Sequence, residues 1–156
     1  MMMSLSCNVI TALAGKTLVT AESCTGGGIG AALTAVPGSS KVYKGGIISY
    51  TNDVKVNQLG VACELLDREG AVSASVAEAM AVGARTALSA DIAISVTGLA
   101  GPDGDDFGNP VGTVFIGYAN SEIAFSHRYL FSGSREEIRT QAITAALRLV
   151  IAQNKE

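Results

Sequence analysis

The sequence predicts a three-layer α/β/α sandwich built on a mixed, mostly parallel sheet. Three observations predict it. Short β-branched apolar runs alternate with segments of helical periodicity, the pattern of strands joined by helical crossovers. The last two of the five strand-like runs are separated only by Ala119-Asn120-Ser121-Glu122, a hairpin spacing that makes one strand antiparallel. Hydrophobic residues make up 48% of the 156 and charged residues only 16%, which suits a sheet covered on both faces.

The elements follow in order. Residues 5–14 form a short helix, and Gly15-Lys16 turn the chain into a first strand, Thr17-Leu18-Val19-Thr20-Ala21. The loop Glu22-Ser23-Cys24-Thr25-Gly26-Gly27-Gly28 leads to a helix over 29–36, with Ile29, Leu33 and Val36 on one face. Pro37-Gly38-Ser39-Ser40 breaks the chain before a second strand over 42–50. Thr51 or Asn52 caps a helix that carries Val54, Lys55 and Leu59 and stops near Gly60; a short charged helix covers 62–69. Ser73 is an N-cap candidate for the next helix, with Ser75-Val76-Ala77-Glu78 a competing capping-box pattern; Val76, Met80, Ala84 and Leu88 form its apolar stripe. A third strand over 91–97 runs into the acidic, glycine-rich loop 98–106, which Pro110 closes. Strands over 111–118 and 123–131 follow. The capping box Ser134-Arg135-Glu136-Glu137 opens a last helix with Ile138, Ala142, Ala145 and Leu149 on its core face. With no internal repeat or linker, residues 1–156 read as a single domain.

Composition removes several function classes. Eleven Lys and Arg against fourteen Asp and Glu give a net charge of -3, without the basic excess of a nucleic-acid binder. Trp is absent and aromatics are 5%, so a base-stacking platform is not expected. Cys7, Cys24 and Cys63 are an odd, widely spaced set, and His127 is the only histidine, so no disulfide framework, zinc site or histidine cluster is expected. His127 falls in a strand, on its solvent side. The N-terminus has neither a basic region nor a long apolar run, so the expectation is a cytoplasmic protein without membrane contact. The low charge content also points to a homo-oligomer.

In open α/β sheets, ligands gather at the carboxyl ends of strands. Three segments rich in small polar residues or glycine fall there: 22–28, 50–55 and 98–106. The first puts Ser23, Cys24 and Thr25 at a helix N-terminus, where free N–H groups hold a phosphate or stabilise an oxyanion beside a nucleophilic hydroxyl. Capping alone accounts for such residues equally well. In the second, Lys55 lies in a helical first turn, where the dipole and any burial lower its pKa toward that of a general base; a solvated lysine is the commoner case. Tyr50 ends the preceding strand, within reach of the same cleft. Asp103, Asp105 and Asp106 do not fit the EF-hand spacing and read as a pocket-edge loop. Arg135 and Arg139 can clamp a phosphate or pair with Glu136 and Glu137. Cys24 is a rival nucleophile with no partner nearby in the sequence.

Taken together, Ala21-Glu22-Ser23-Cys24-Thr25-Gly26-Gly27, Pro37-Gly38-Ser39-Ser40, Gly45-Gly46-Ile47-Ile48-Ser49-Tyr50-Thr51-Asn52-Asp53-Val54-Lys55, Gly70-Ala71-Val72-Ser73, Thr97-Gly98-Leu99-Ala100-Gly101-Pro102-Asp103-Gly104 and Pro110-Val111-Gly112-Thr113-Val114 resemble the C-terminal domain of the competence/damage-inducible protein CinA and its stand-alone bacterial relatives. The resemblance runs from about Thr17 to the last helix. It implies a three-layer α/β/α fold with a sheet of about five strands. It also implies a metal-free Ser/Lys amidohydrolase, without cofactor, that converts nicotinamide mononucleotide to nicotinate mononucleotide and ammonia. By position, the resemblance makes Ser23 the nucleophile, Lys55 the base and Ser40 a proton relay, with an exchange of the two serine roles left open. Tyr50 would orient the substrate or donate to its carboxamide. Amides around Thr25, Gly26 and Gly27 would hold the oxyanion or the 5′-phosphate. Gly98, Ala100 and Gly101 would wall the pocket, and Arg135 and Arg139 would partner the phosphate. The alternatives are a non-catalytic nucleotide-binding relative and an amidohydrolase acting on a related pyridine or nucleoside substrate.

Overall fold

The computed structural model describes residues 1–155. The elements are α1 (Met2–Ala12), β1 (Leu18–Glu22), α2 (Gly28–Thr34), a 3-10 turn (Ser39–Lys41), β2 (Tyr43–Ile48), α3 (Asn52–Leu59), α4 (Cys63–Glu69), α5 (Ala74–Ala87), β3 (Ile92–Gly98), β4 (Thr113–Ala119), β5 (Ala124–Leu130) and α6 (Arg135–Gln153). The five strands form one sheet in the order β2-β1-β3-β4-β5. β1 pairs in parallel with both β2 and β3, while β3–β4 and β4–β5 are antiparallel. One strand, β4, therefore runs against the other four, as the hairpin spacing requires.

The two faces of the sheet carry separate apolar cores. Leu18 and Ile94 pack with Val9, Leu33, Ile138 and Leu147 beneath α1, α2 and α6. Val19, Ala21 and Ala93 pack with Leu59, Val76, Met80 and Ala84 beneath α3 and α5. The side-chain alternation of β1 thus sends even-numbered residues to one core and odd-numbered residues to the other. Burial on both faces explains why β1 reads as a continuous apolar run rather than an alternating one.

Boundaries move where the chain's polar groups decide them. Ser73, not Ser75, caps α5, its hydroxyl accepting from Val76 N at 3.4 Å, whereas the Ser75 hydroxyl donates to Glu69. Thr51 takes the N-cap position of α3, but its hydroxyl turns to Asp53 instead of the helix. The Ser134–Glu137 capping box forms as expected. β4 starts at Thr113 because Gly112 (φ +94°) turns there, donating to Leu99 O and accepting from Phe131 N. His127 is exposed on β5, against Phe125.

This topology gathers the site. From β1 the chain crosses one face through α2 to β2, then crosses the other face through α3, α4 and α5 to β3. The carboxyl ends of β1 and β3 lie side by side, Glu22 opposite Val96. Their following loops diverge and open a crevice between them. β5 ends at the same edge, Leu130 opposite Thr113, and delivers the start of α6 to it.

Candidate active site

A cleft of about 340 Å³ occupies that crevice, within the ~300–1,000 Å³ range of small-molecule sites. Ser23, Cys24, Tyr50 and Lys55 line one side, and residues 97–103 with Arg135 line the other. Ala71, Val72, Leu99, Ala100 and Pro102 give it an apolar wall suited to a flat ring.

Lys55 is 1% exposed, among the largest fully buried side chains. Its Nζ lies 3.0 Å from Ser23 Oγ, 2.7 Å from Ser49 O and 3.2 Å from Tyr50 O. No carboxylate of the described residues pairs with it; the ion pair found there is Arg68–Glu69. Burial lowers its pKa from 10.5 to about 8, partly opposed by the Cys24 thiol. A neutral amine has two N–H donors and one lone pair. The Ser49 and Tyr50 carbonyls take the two donors, which leaves the lone pair for the Ser23 hydroxyl. That is the hydrogen-bond arrangement of a general base and its nucleophile.

Ser23 is held by its own backbone. Its N–H donates to Val96 O at 3.0 Å and its carbonyl accepts from Gly26 N at 3.1 Å. Cys24 is buried, and burial pushes its thiol up to about 11, so it stays protonated at neutral pH and is no rival nucleophile. Tyr50 is largely exposed at the mouth, its hydroxyl 3.2 Å from Arg135 Nη2. Arg135 also donates to Gly101 O, which ties α6 to the 98–104 loop.

Not every expected residue reaches the cleft. Ser40 is exposed on the 3-10 turn and does not line the pocket; Lys55 meets Ser23 without an intermediary, so the relay role has no place in this geometry. Thr25 is fully buried, and the Gly26 and Gly28 N–H groups are spent inside the turn on Ser23 O and Thr25 O. The α2 N-terminus expected to cradle an anion already holds one: the Glu22 carboxylate accepts from Ile29 N at 2.8 Å and Gly30 N at 3.0 Å. Thr25 and Gly26 therefore belong to the turn that holds Ser23, and none of Thr25, Gly26 and Gly27 lines the cleft. Arg139 likewise turns inward, donating from Nε to Cys24 O at 2.9 Å and from Nη2 to Thr25 O at 3.0 Å. Sequence reasoning missed Thr97 and Val72 on the cleft wall, and the Ser49 carbonyl behind the lysine. A main-chain acceptor leaves no mark in a sequence.

Residues 3–153 match the family described as the CinA C-terminal domain. The chain belongs to the CinA C-terminal domain family. It is 48% identical over 130 residues to a protein of Pseudomonas putida named nicotinamide-nucleotide amidohydrolase PncC, covering 83% of this chain and 81% of that one. It is 53% identical over 122 residues to a CinA-like protein of Thermosynechococcus vestitus, covering 77% of this chain but only 29% of that relative. The chain thus corresponds to less than a third of that CinA-like protein and to most of the Pseudomonas one. Among solved structures, the competence/damage inducible protein CihA of Agrobacterium tumefaciens superposes with a TM-score of 0.95 at 40% identity, covering 99% of this chain and 96% of that one. The competence damage-inducible protein A of Klebsiella pneumoniae does so with a TM-score of 0.95 at 35% identity, covering 97% and 96%. Family membership fixes the five-stranded mixed α/β fold. Among the described residues, no helix is long and apolar enough to cross a membrane.

Proposed function

We propose that this chain hydrolyses the carboxamide of nicotinamide mononucleotide, releasing ammonia and nicotinate mononucleotide, with Ser23 as nucleophile and Lys55 as base. One observation carries the reading: a buried lysine, its pKa lowered to about 8, lies 3.0 Å from a serine hydroxyl inside a cleft. The similarity to the Pseudomonas protein named as an amidohydrolase supports the choice of substrate.

In this mechanism Lys55 Nζ takes the Ser23 proton as Oγ attacks the carboxamide carbon. The tetrahedral adduct collapses, the C–N bond breaks, and the proton on Lys55 passes to the leaving nitrogen as ammonia departs. A water then attacks the ester carbonyl and gives a proton to Lys55. The adduct collapses to the carboxylic acid as Ser23 Oγ recovers that proton, and the acid passes its remaining proton to ammonia or solvent to become the carboxylate. Arg135 at the mouth is the cation for the 5′-phosphate, and the apolar wall takes the pyridine ring.

The test is ammonia release from nicotinamide mononucleotide by the wild-type chain and by Ser23→Ala. Loss of the hydroxyl is expected to lower kcat by about 10³–10⁴-fold with little change in ligand binding. A Ser23→Ala protein that turns over at the wild-type rate overturns the assignment. Ligand-induced thermal stabilisation without ammonia from the wild type favours the non-catalytic binding module instead. The partner proposed from the low charge content is a second copy of the chain.

A further inference from the structure

Glu22 is a charged side chain that the proposed chemistry does not use, and it is 2% exposed. No cation pairs with it among the described residues, where the ion pair found is Arg68–Glu69. Both of its oxygens are instead saturated by donors. Oε1 accepts from Thr25 Oγ1 at 2.8 Å and Ile29 N at 2.8 Å; Oε2 accepts from Gly30 N at 3.0 Å and Thr20 Oγ1 at 3.2 Å. Gly30 leaves room for the neighbouring Tyr43, whose hydroxyl a Cβ there would approach to 2.6 Å.

The donors come from both ends of the segment that contains the nucleophile. The carboxylate therefore closes residues 22–30 into a ring around itself, with the positive end of α2 stabilising its charge. The alternation of β1 places Glu22 on the α2 side of the sheet and Ser23 on the side of α3, where Lys55 lies. Holding one side chain fixes where the next one points.

We propose that Glu22 is a positioning residue for the Ser23–Lys55 pair, acting through Thr25 and the first turn of α2. This rests on the reading of Ser23 as nucleophile, and it excludes the α2 N-terminus as the phosphate site. The glutamate supplies no proton and touches no substrate. It fixes the hydroxyl within reach of the amine, and a displacement of about 1 Å at a reacting atom costs on the order of 10²-fold.

The test compares wild type with Glu22→Gln, Thr25→Val and Thr25→Ser. Two rates are read at a temperature where each variant is folded by circular dichroism. One is ammonia release from nicotinamide mononucleotide. The other is covalent labelling of Ser23 by a fluorophosphonate, which needs the nucleophile and base but not the natural substrate. Glu22→Gln is expected to lower both kcat and the labelling rate at least about 30-fold, with KM within about twofold. Thr25→Val, which removes one donor and keeps the shape, lowers both by about fivefold, and Thr25→Ser restores them. A folded Glu22→Gln that labels at the wild-type rate overturns the proposal. If Glu22→Gln does not fold, the two Thr25 variants decide: wild-type labelling by Thr25→Val, or equal loss in both, overturns it. Normal labelling of wild type without ammonia release sinks the substrate assignment and leaves this inference testable by labelling alone.

Discussion

Lys55 Nζ and Ser23 Oγ lie 3.0 Å apart, 32 residues apart in the chain, and both side chains are buried. A buried ammonium without a carboxylate partner is costly, and a protein retains one where its neutral form has a use. Lys55→Met keeps the volume and removes the amine, and it is expected to lower kcat by at least about 10³-fold, as loss of the serine does. Steady-state ammonia release measures this, and the double variant should be no worse than either single one.

The pH dependence follows from the same amine. With its pKa lowered to about 8 by burial, Lys55 is mostly protonated at pH 6 and mostly neutral above pH 9. The rate constant kcat/KM should rise tenfold per pH unit below about 8 and level off above it. A profile flat from pH 6 to 9 contradicts the base assignment.

The stability contributed by this group also rises with pH, over a higher window than the activity. The folded pKa of Lys55 lies below its ordinary 10.5, so between about 8 and 10.5 the unfolded chain binds more protons than the folded one. Folding stability from this group therefore rises with pH across that window, and the full penalty applies below it. The stability difference between Lys55→Met and wild type should therefore favour the variant most at pH 7 and shrink toward pH 10. Thermal melts at the two pH values check both the sign and the convergence.

The two arginines of α6 should fail differently. Arg135 reaches the mouth, beside the Tyr50 hydroxyl, whereas Arg139 spends its guanidinium on the carbonyls of Cys24 and Thr25. Arg135→Ala is expected to raise KM for the mononucleotide about tenfold or more, with a smaller effect on the phosphate-free nucleoside. Arg139→Ala should lower kcat and Tm with KM nearly unchanged. Initial-rate kinetics on both substrates separate the two.

Ser40 gives a sharper comparison. It stands exposed on the turn before β2 while Lys55 meets Ser23 directly. Ser40→Ala should leave the acid limb of the pH profile where it is. A shift of that limb by a unit would restore the relay.

The layers and the one antiparallel strand were legible because each follows from a local signal, apolar runs and a four-residue hairpin. Lys55 stood out by its place early in a helix, whereas its pairing with Ser23 was implied only by the family resemblance. Donor bookkeeping was not legible. The loop after β1 looks like an anion cradle by every local rule, yet a carboxylate one residue upstream of the serine fills it. Whether Glu22 points toward α2 or toward solvent depends on the parity of β1 and the packing above it, which no spacing reveals. Arg139 misled for the same reason, since its partners are carbonyls 114 and 115 residues away. Ser40 belongs to a recognisable motif whose neighbour Ser39, and not Ser40 itself, faces inward.

The amine of Lys55 is gripped by the main-chain oxygens of residues 49 and 50, while the side chain of Tyr50 projects outward at the rim. Backbone atoms survive any replacement of the side chain they carry. The rim can therefore be redesigned at position 50 to admit a bulkier or differently charged amide without retuning the proton acceptor, which makes that position the natural first target for a library aimed at new substrates.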